Sequence, residues 1–292
     1  MGLKQFATSV HLILGNPHIS RGHALGRHLI WQSKKLFNLF PFEQSISRSA
    51  IIAPHRRCGV SALIYSQGLY DYNNMRLIQH LLKSGGTFMD IGGNIGSYAL
   101  VASEQNLAKI HVFEPHPDTF RLLQRNIEMN HRSNVSLHNV ALGSSEGEVC
   151  LTDQSGSSEN YIVAGGPQLM GTIAVPCRRM DTLCRDFKIS PQIVKLDVEG
   201  FEYDVLQGFG TELSSVQILM IEMNGLSDER SHGQHEIHSL LTSAGMTGPW
   251  QCQFDEHQLL PLRCRSREDS LYVSSSFRQQ APSIGLTFVE SA

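Results

Sequence analysis

From about residue 71 the sequence alternates short β-branched runs with amphipathic helical runs, and nothing else in it constrains the fold as tightly. Gly86–Ile91, Lys109–Glu114, Val135–Val140, Ile193–Asp197 and Val216–Glu222 read as strands. Gly96–Glu104, Pro117–Asn130 and Gly200 to about Leu206 read as helices between them, with His235–Ala244 a later helix and Ser270–Ser274 a final strand. Pro117–Asn130 is the best signalled. Pro117 suits a first turn, Phe120, Leu123 and Ile127 share one face, and Asn130 can end the helix. Strands joined by helical crossovers form a parallel sheet covered on both faces. Right-handed crossovers make that sheet open and doubly wound. Ligands in such sheets sit at the carboxyl ends of the strands, where Asp90, Glu114, Asp197 and Glu222 fall.

Charge divides the chain. Residues 1–57 hold eight Lys or Arg against the single acid Glu43, while the remainder holds sixteen bases against 26 acids. The formal net charge of −3 describes neither part. The acidic bulk argues against a broad nucleic-acid groove, which must neutralise many phosphates. No run of 18 apolar residues predicts a membrane span, and the patchy Phe6–Leu14 stretch is a poor secretory signal. Six scattered cysteines without a C-x-x-C pair read as reduced thiols, so the expected setting is cytoplasmic. The expected organisation is a basic extension over 1–70, a main domain over 71–275 and a tail over 276–292. Within the extension, Leu12–Leu14 and Leu29–Phe40 read as short helices and Ile51–Tyr65 as short strands. Asp153–Gly171, rich in Gly and Ser, reads as a loop near the site.

Three segments carry chemistry. Asp90-Ile91-Gly92-Gly93-Asn94-Ile95-Gly96 is a D-x-G-x-N-x-G turn between strand and helix, not the dinucleotide G-x-G-x-x-G. Its glycines allow a tight turn and close ligand approach, and Asn94 can enter the left-handed region. The leading acid favours a cationic ligand over a pyrophosphate. Glu114 lies 22 residues beyond Gly92, where an acid can accept hydrogen bonds from ribose hydroxyls; the alternative is a solvated strand-end carboxylate. In Lys195-Leu196-Asp197-Val198-Glu199-Gly200, Lys195 and Asp197 share a strand face that should be apolar. Lys195 therefore needs a partner, with Asp197, Glu199 and Glu222 as candidates. A stabilising ion pair or an acid–base cluster for a substrate hydroxyl are both consistent with it. His232, His235 and His238, spaced by three, read as an exposed helix start, and no metal site is assigned.

Together these segments resemble the FkbM-type family of S-adenosylmethionine-dependent methyltransferases. The likeness is carried by Phe88–Gly96, Val112–Pro117, Ile193–Glu202 with Val205–Gly208, and Ile221-Glu222, over roughly residues 70–225. Gly93 departs from the family's more frequent alanine, a change expected to be neutral. The resemblance implies a Rossmann-like, mostly parallel α/β domain and O-methylation of a hydroxyl on a sugar or small metabolite. It implies that Asp90, Gly92, Asn94 and Gly96 hold the methionine part of S-adenosylmethionine, that Glu114 holds the ribose, and that His116, Ala141 and Leu142 lie near the adenosine. Asp197 is the first candidate for base or hydroxyl orienter, tuned by Lys195, Glu199 and Glu222. The alternatives are a cofactor-binding protein without turnover and a nicotinamide-dependent oxidoreductase, the latter disfavoured by the glycine spacing. The basic N-terminal segment has three readings: packing on the acidic domain, holding an anionic acceptor, or peripheral contact with an anionic membrane through Leu29, Trp31, Leu36, Phe37 and Phe40.

Overall fold

The computed structural model describes residues 16, 18–154, 160–163, 170–223, 233–261 and 269–289. Its centre is a nine-stranded sheet. Five parallel strands form one side in the order β5 (Val135–His138), β4 (Ala108–Phe113), β3 (Gly86–Ile91), β10 (Ile193–Leu196) and β11 (Ile218–Ile221). Beyond β11 run β14 (Ser270–Ser274) and β12 (Met246–Gln253), then β13 (Gln258–Pro261) and β15 (Thr287–Phe288). The β11–β14, β14–β12 and β12–β13 contacts are antiparallel, so the sheet is mixed toward this edge. The expected doubly wound α/β sheet is present, and the reversal of strand order between β3 and β10 makes its crevice.

Residue parity sorts the core. Phe88, Ile110, Val112 and Ile193 join one buried cluster, while Met89, Ile91, Phe113, Val194 and Leu196 join another on the opposite face. Helix α5 (Pro117–Met129) starts as its sequence dictates, with Pro117 in the first turn and the His116 side chain accepting a hydrogen bond from the Asp118 amide. It buries Thr119, Leu123, Asn126 and Ile127.

Several expectations need correction. The N-terminal helix α1 spans Arg21–Leu36, not Leu29–Phe40; Ser20 caps it, and Gly22 and Gly26 lie inside it. Ile51–Tyr65 is not a run of strands. Only Ile51–Ile52 (β2) pairs, with Gln44–Ser45 (β1), and Gly59–Gln67 folds as helix α2, burying Ser61 and Ile64 at helical spacing. Leu12–Leu14 lies outside the described residues. The expected loop over 153–171 contains a strand, β8 (Ile162–Val163). It belongs to a second sheet in the order β6 (Ala141–Leu142), β9 (Thr172–Arg178), β7 (Gly147–Thr152), β8. The expected tail is not one: Phe277, Ala281 and Leu286 are buried, and β15 pairs with β13. Among the described residues no helix is long and apolar enough to cross a membrane.

Candidate active site

The turn after β3 is shaped by contacts that only glycine permits. Gly92 has φ +81°, and a Cβ there would stand 1.8 Å from the Asp197 carbonyl oxygen. The Gly92 and Gly93 amides both donate to the Phe113 carbonyl at the end of β4, at 2.9 and 3.0 Å. Asn94 occupies the left-handed region at φ +50°, as its residue type allows. Its amide donates to Glu114 Oε2 at 3.0 Å, and the His116 amide donates to Glu114 Oε1 at 2.9 Å. Glu114 therefore organises the turn from inside. Burial pushes its carboxyl up to about 7, against the pull of those two amides. Asp90 is almost wholly buried, and burial likewise pushes it up to about 6. Among the described residues its Oδ2 has no hydrogen-bond partner.

Asp90 lies opposite Lys195 in the β3–β10 register. Lys195 Nζ bonds Asp197 Oδ2 at 2.7 Å and stands 4.8 Å above the Tyr98 ring. Of the three candidate partners, the ion pair therefore falls to Asp197. Burial alone would raise Asp197, but the Lys195 ammonium holds it below the ordinary carboxylate range. Glu222 goes the other way: burial and the neighbouring Asp197 charge push it up to about 10, so it keeps its proton and hydrogen-bonds to Asp197. The Lys195 side chain is only 7% exposed, whereas that of Asp197 is 32% exposed. Asp197 is thus the accessible end of a buried charge network. Carboxylate oxygens of Asp197, Glu199 and Glu222 come within 4.8 Å of one another. Such a triad could take a divalent cation only by displacing the proton that Glu222 holds.

Other residues build the site without having been read from the sequence. Glu202, fully buried, accepts the Val198 and Gly200 amides at 3.3 and 3.0 Å through Oε1. It fixes a loop in which Glu199 and Gly200 both have positive φ. Its signal was present as the last acid of K-x-D-V-E-G-x-E. Asn139 ties the β5–β6 turn to β4 through the Glu114 and Pro115 carbonyls at 2.8 and 3.0 Å. Asp71 accepts a short hydrogen bond from Tyr98, and Tyr70 pairs with Ser97 at 3.2 Å, so the chain around residue 70 closes over the network.

The peripheral candidates have local duties. His116 Nδ1 caps α5 and its Nε2 faces Asp153 Oδ1 at 3.3 Å. Ala141 and Leu142 are buried in β6, paired with Cys177 and Arg178 of β9. Of the three spaced histidines, His232 lies outside the described residues, while His238 Nδ1 bonds the Tyr272 hydroxyl at 2.9 Å.

Residues 90–247 match the sequence model of the Methyltransferase FkbM domain. The chain is 28% identical over 177 residues to the hexuronic acid methyltransferase AglP of Haloferax volcanii, covering 59% of this chain and 68% of that protein. It is 30% identical over 145 residues to Methyltransferase 1 of Beauveria bassiana, covering 42% of this chain and 58% of that protein. Among solved structures, a precorrin-6y C5,15-methyltransferase from Geobacter metallireducens overlays with a TM-score of 0.41 at 13% identity, covering 76% of this chain and 91% of that one. More than half of this chain lies within the matched FkbM segment, and the chain belongs to the FkbM methyltransferase family.

Proposed function

We propose that this protein is an S-adenosylmethionine-dependent O-methyltransferase whose acceptor is a hydroxyl of a sugar or small metabolite. One observation carries the reading. The crevice at the ends of β3, β4 and β10 buries two acids, Asp90 and Glu114, and presents one accessible, ionised carboxylate, Asp197. The cofactor fits the residues present. Asp90 has a buried carboxylate oxygen without a partner, which a cationic amino acid group can satisfy. Glu114, although holding two amides, retains lone pairs for ribose hydroxyls. Gly92 and Gly93 leave the backbone open to close approach. When bound, S-adenosylmethionine supplies a methyl carbon already activated by its sulfonium.

The chain must then position a hydroxyl and take its proton. Asp197 accepts a hydrogen bond from the acceptor hydroxyl and aims an oxygen lone pair at the methyl carbon. Because Lys195 holds its basicity down, Asp197 is a weak base. That suffices, since a hydroxyl oxygen forming a third bond becomes strongly acidic and releases its proton late. Lys195 fixes the carboxylate, and Glu222 donates to it. The relative that acts on a hexuronic acid supports a sugar acceptor.

A methyl-transfer screen with labelled S-adenosylmethionine over sugar, lipid-linked and small hydroxyl acceptors tests the reading. Asp197→Asn should lose at least about a hundredfold in turnover while cofactor affinity stays within about threefold. Unchanged turnover would remove Asp197 from the mechanism. Binding without transfer to any acceptor would favour a cofactor-binding protein.

A further inference from the structure

Helix α1 turns its apolar side outward. Among the described residues eleven large hydrophobic side chains are exposed, and six of them lie between residues 25 and 39: Leu25, Leu29, Ile30, Leu36, Phe37 and Leu39. At 100° per residue, Leu25, Leu29 and Leu36 form one stripe and Ile30 and Phe37 a second about 110° round the helix, with the small residues Gly22, Gly26 and Ser33 between them. Leu36 and Phe37 are 77% and 69% exposed. The opposite face is fixed inward. Trp31 is buried, with ring centroids 5.1, 6.2 and 5.6 Å from Phe40, Phe42 and Tyr65, and Arg27 Nε bonds the Tyr65 carbonyl at 2.5 Å. Trp31 therefore anchors the helix and does not face out.

Exposed Arg21 lies beside the outward face, and α1 contains no acid. Arg27 and Lys34 turn back onto the Tyr65 and Phe42 rings, at 4.7 and 4.2 Å, and Lys35 falls on the inward side between Ala24 and His28. Arg56 adds a second exposed cation, its Nη1 3.3 Å from Asn38 Oδ1 at the end of the helix. Burial first, and then the nearby Arg56, lower Lys35.

We propose that α1 docks this enzyme on an anionic lipid surface, inserting Leu29, Leu36 and Phe37 between headgroups that the exposed Arg21 and Arg56 neutralise. Apolar side chains out, exposed cations nearby and no acids are the pattern of a helix lying in a membrane interface. The inference goes beyond the methyl-transfer reading and does not depend on it.

Co-sedimentation of the full chain with vesicles of phosphatidylcholine, with and without phosphatidylglycerol, tests it. The expected result is binding to the anionic vesicles at least tenfold stronger than to the neutral ones, falling with salt. Leu36→Gln with Phe37→Gln should lower it at least tenfold, and Arg21→Gln with Arg56→Gln roughly fivefold per cation removed. The far-UV circular dichroism spectrum and the thermal midpoint should be unchanged in both, which separates lost docking from lost folding. Equal binding to both vesicle types, no binding, or binding indifferent to the Leu36 and Phe37 changes would overturn the proposal. So would light scattering that shows a dimer converted to monomer by those same changes, which would make the face a contact between two copies.

Discussion

Adding one methyl group at Gly93 would set a carbon 2.2 Å from Val112 Cγ1, closer than any side-chain contact permits. The departure from the family's alanine is therefore not neutral here, because Val112 on β4 fills the space an alanine would take. Gly93→Ala should cost about 1–3 kcal/mol of stability by overpacking. The double variant Gly93→Ala with Val112→Ala should recover at least about 1 kcal/mol of that loss in a denaturant-unfolding cycle. Simple additivity would mean that the turn relaxes by another route. Gly92 is stricter. Its Cβ would meet a backbone oxygen and its φ is positive, so Gly92→Ala should destabilise by more than about 3 kcal/mol, with no side-chain change able to rescue it.

At the scale of elements, Asn126 on α5 and Asn130, which caps its C-terminus, clamp the segment that precedes the main sheet. Asn126 Oδ1 accepts the Ala53 amide at 2.9 Å, and its Nδ2 donates to the Ile95 carbonyl at 2.8 Å. Asn130 repeats the device on both backbone groups of Ile51, at 2.8 and 2.6 Å. Asn126 is fully buried, so Asn126→Ala leaves two backbone groups short of a partner. The expected cost is about 2–4 kcal/mol, with amide exchange at Ala53 accelerating far more than exchange in β3. Equal acceleration in both would mean that residues 51–53 do not open separately. This clamp was not legible in advance, because it depends on which helix face meets a distant segment. The parallel strands were legible, since each is a short apolar run ending in a polar residue at the crevice. The smaller sheet was hidden for a local reason. Its strand β9 contains Pro176, which reads as a break, yet β6 pairs only with Cys177 and Arg178 beyond it. The site followed the same division. Asp90, Glu114 and Asp197 stood out as charges in apolar strands, while Glu202 and Asn139 act by holding backbone amides and carbonyls that only the folded loops bring near.

Across the whole molecule the two charge regimes have different addresses. The basic segment builds α1 and its flank, while the acids that matter gather at the strand ends, with Lys195 paired into their midst. A crevice of that sign should favour the proposed cationic cofactor, S-adenosylmethionine. Burial pushes Asp90 up to about 6 and Glu114 up to about 7. A nearby cation favours their ionised forms, so below those values its binding must expel protons. The sign follows: affinity for S-adenosylmethionine rises as pH climbs through 6 to 7 and levels off once both groups are ionised in the free protein. The rise should be at least about threefold between pH 5.5 and 7.5, read by calorimetry. Asp90→Asn should flatten the lower part of that rise and Glu114→Gln the upper part. An affinity independent of pH in the unaltered protein would mean that the ionisation of neither acid is linked to this ligand, and that the acidic crevice serves some other one.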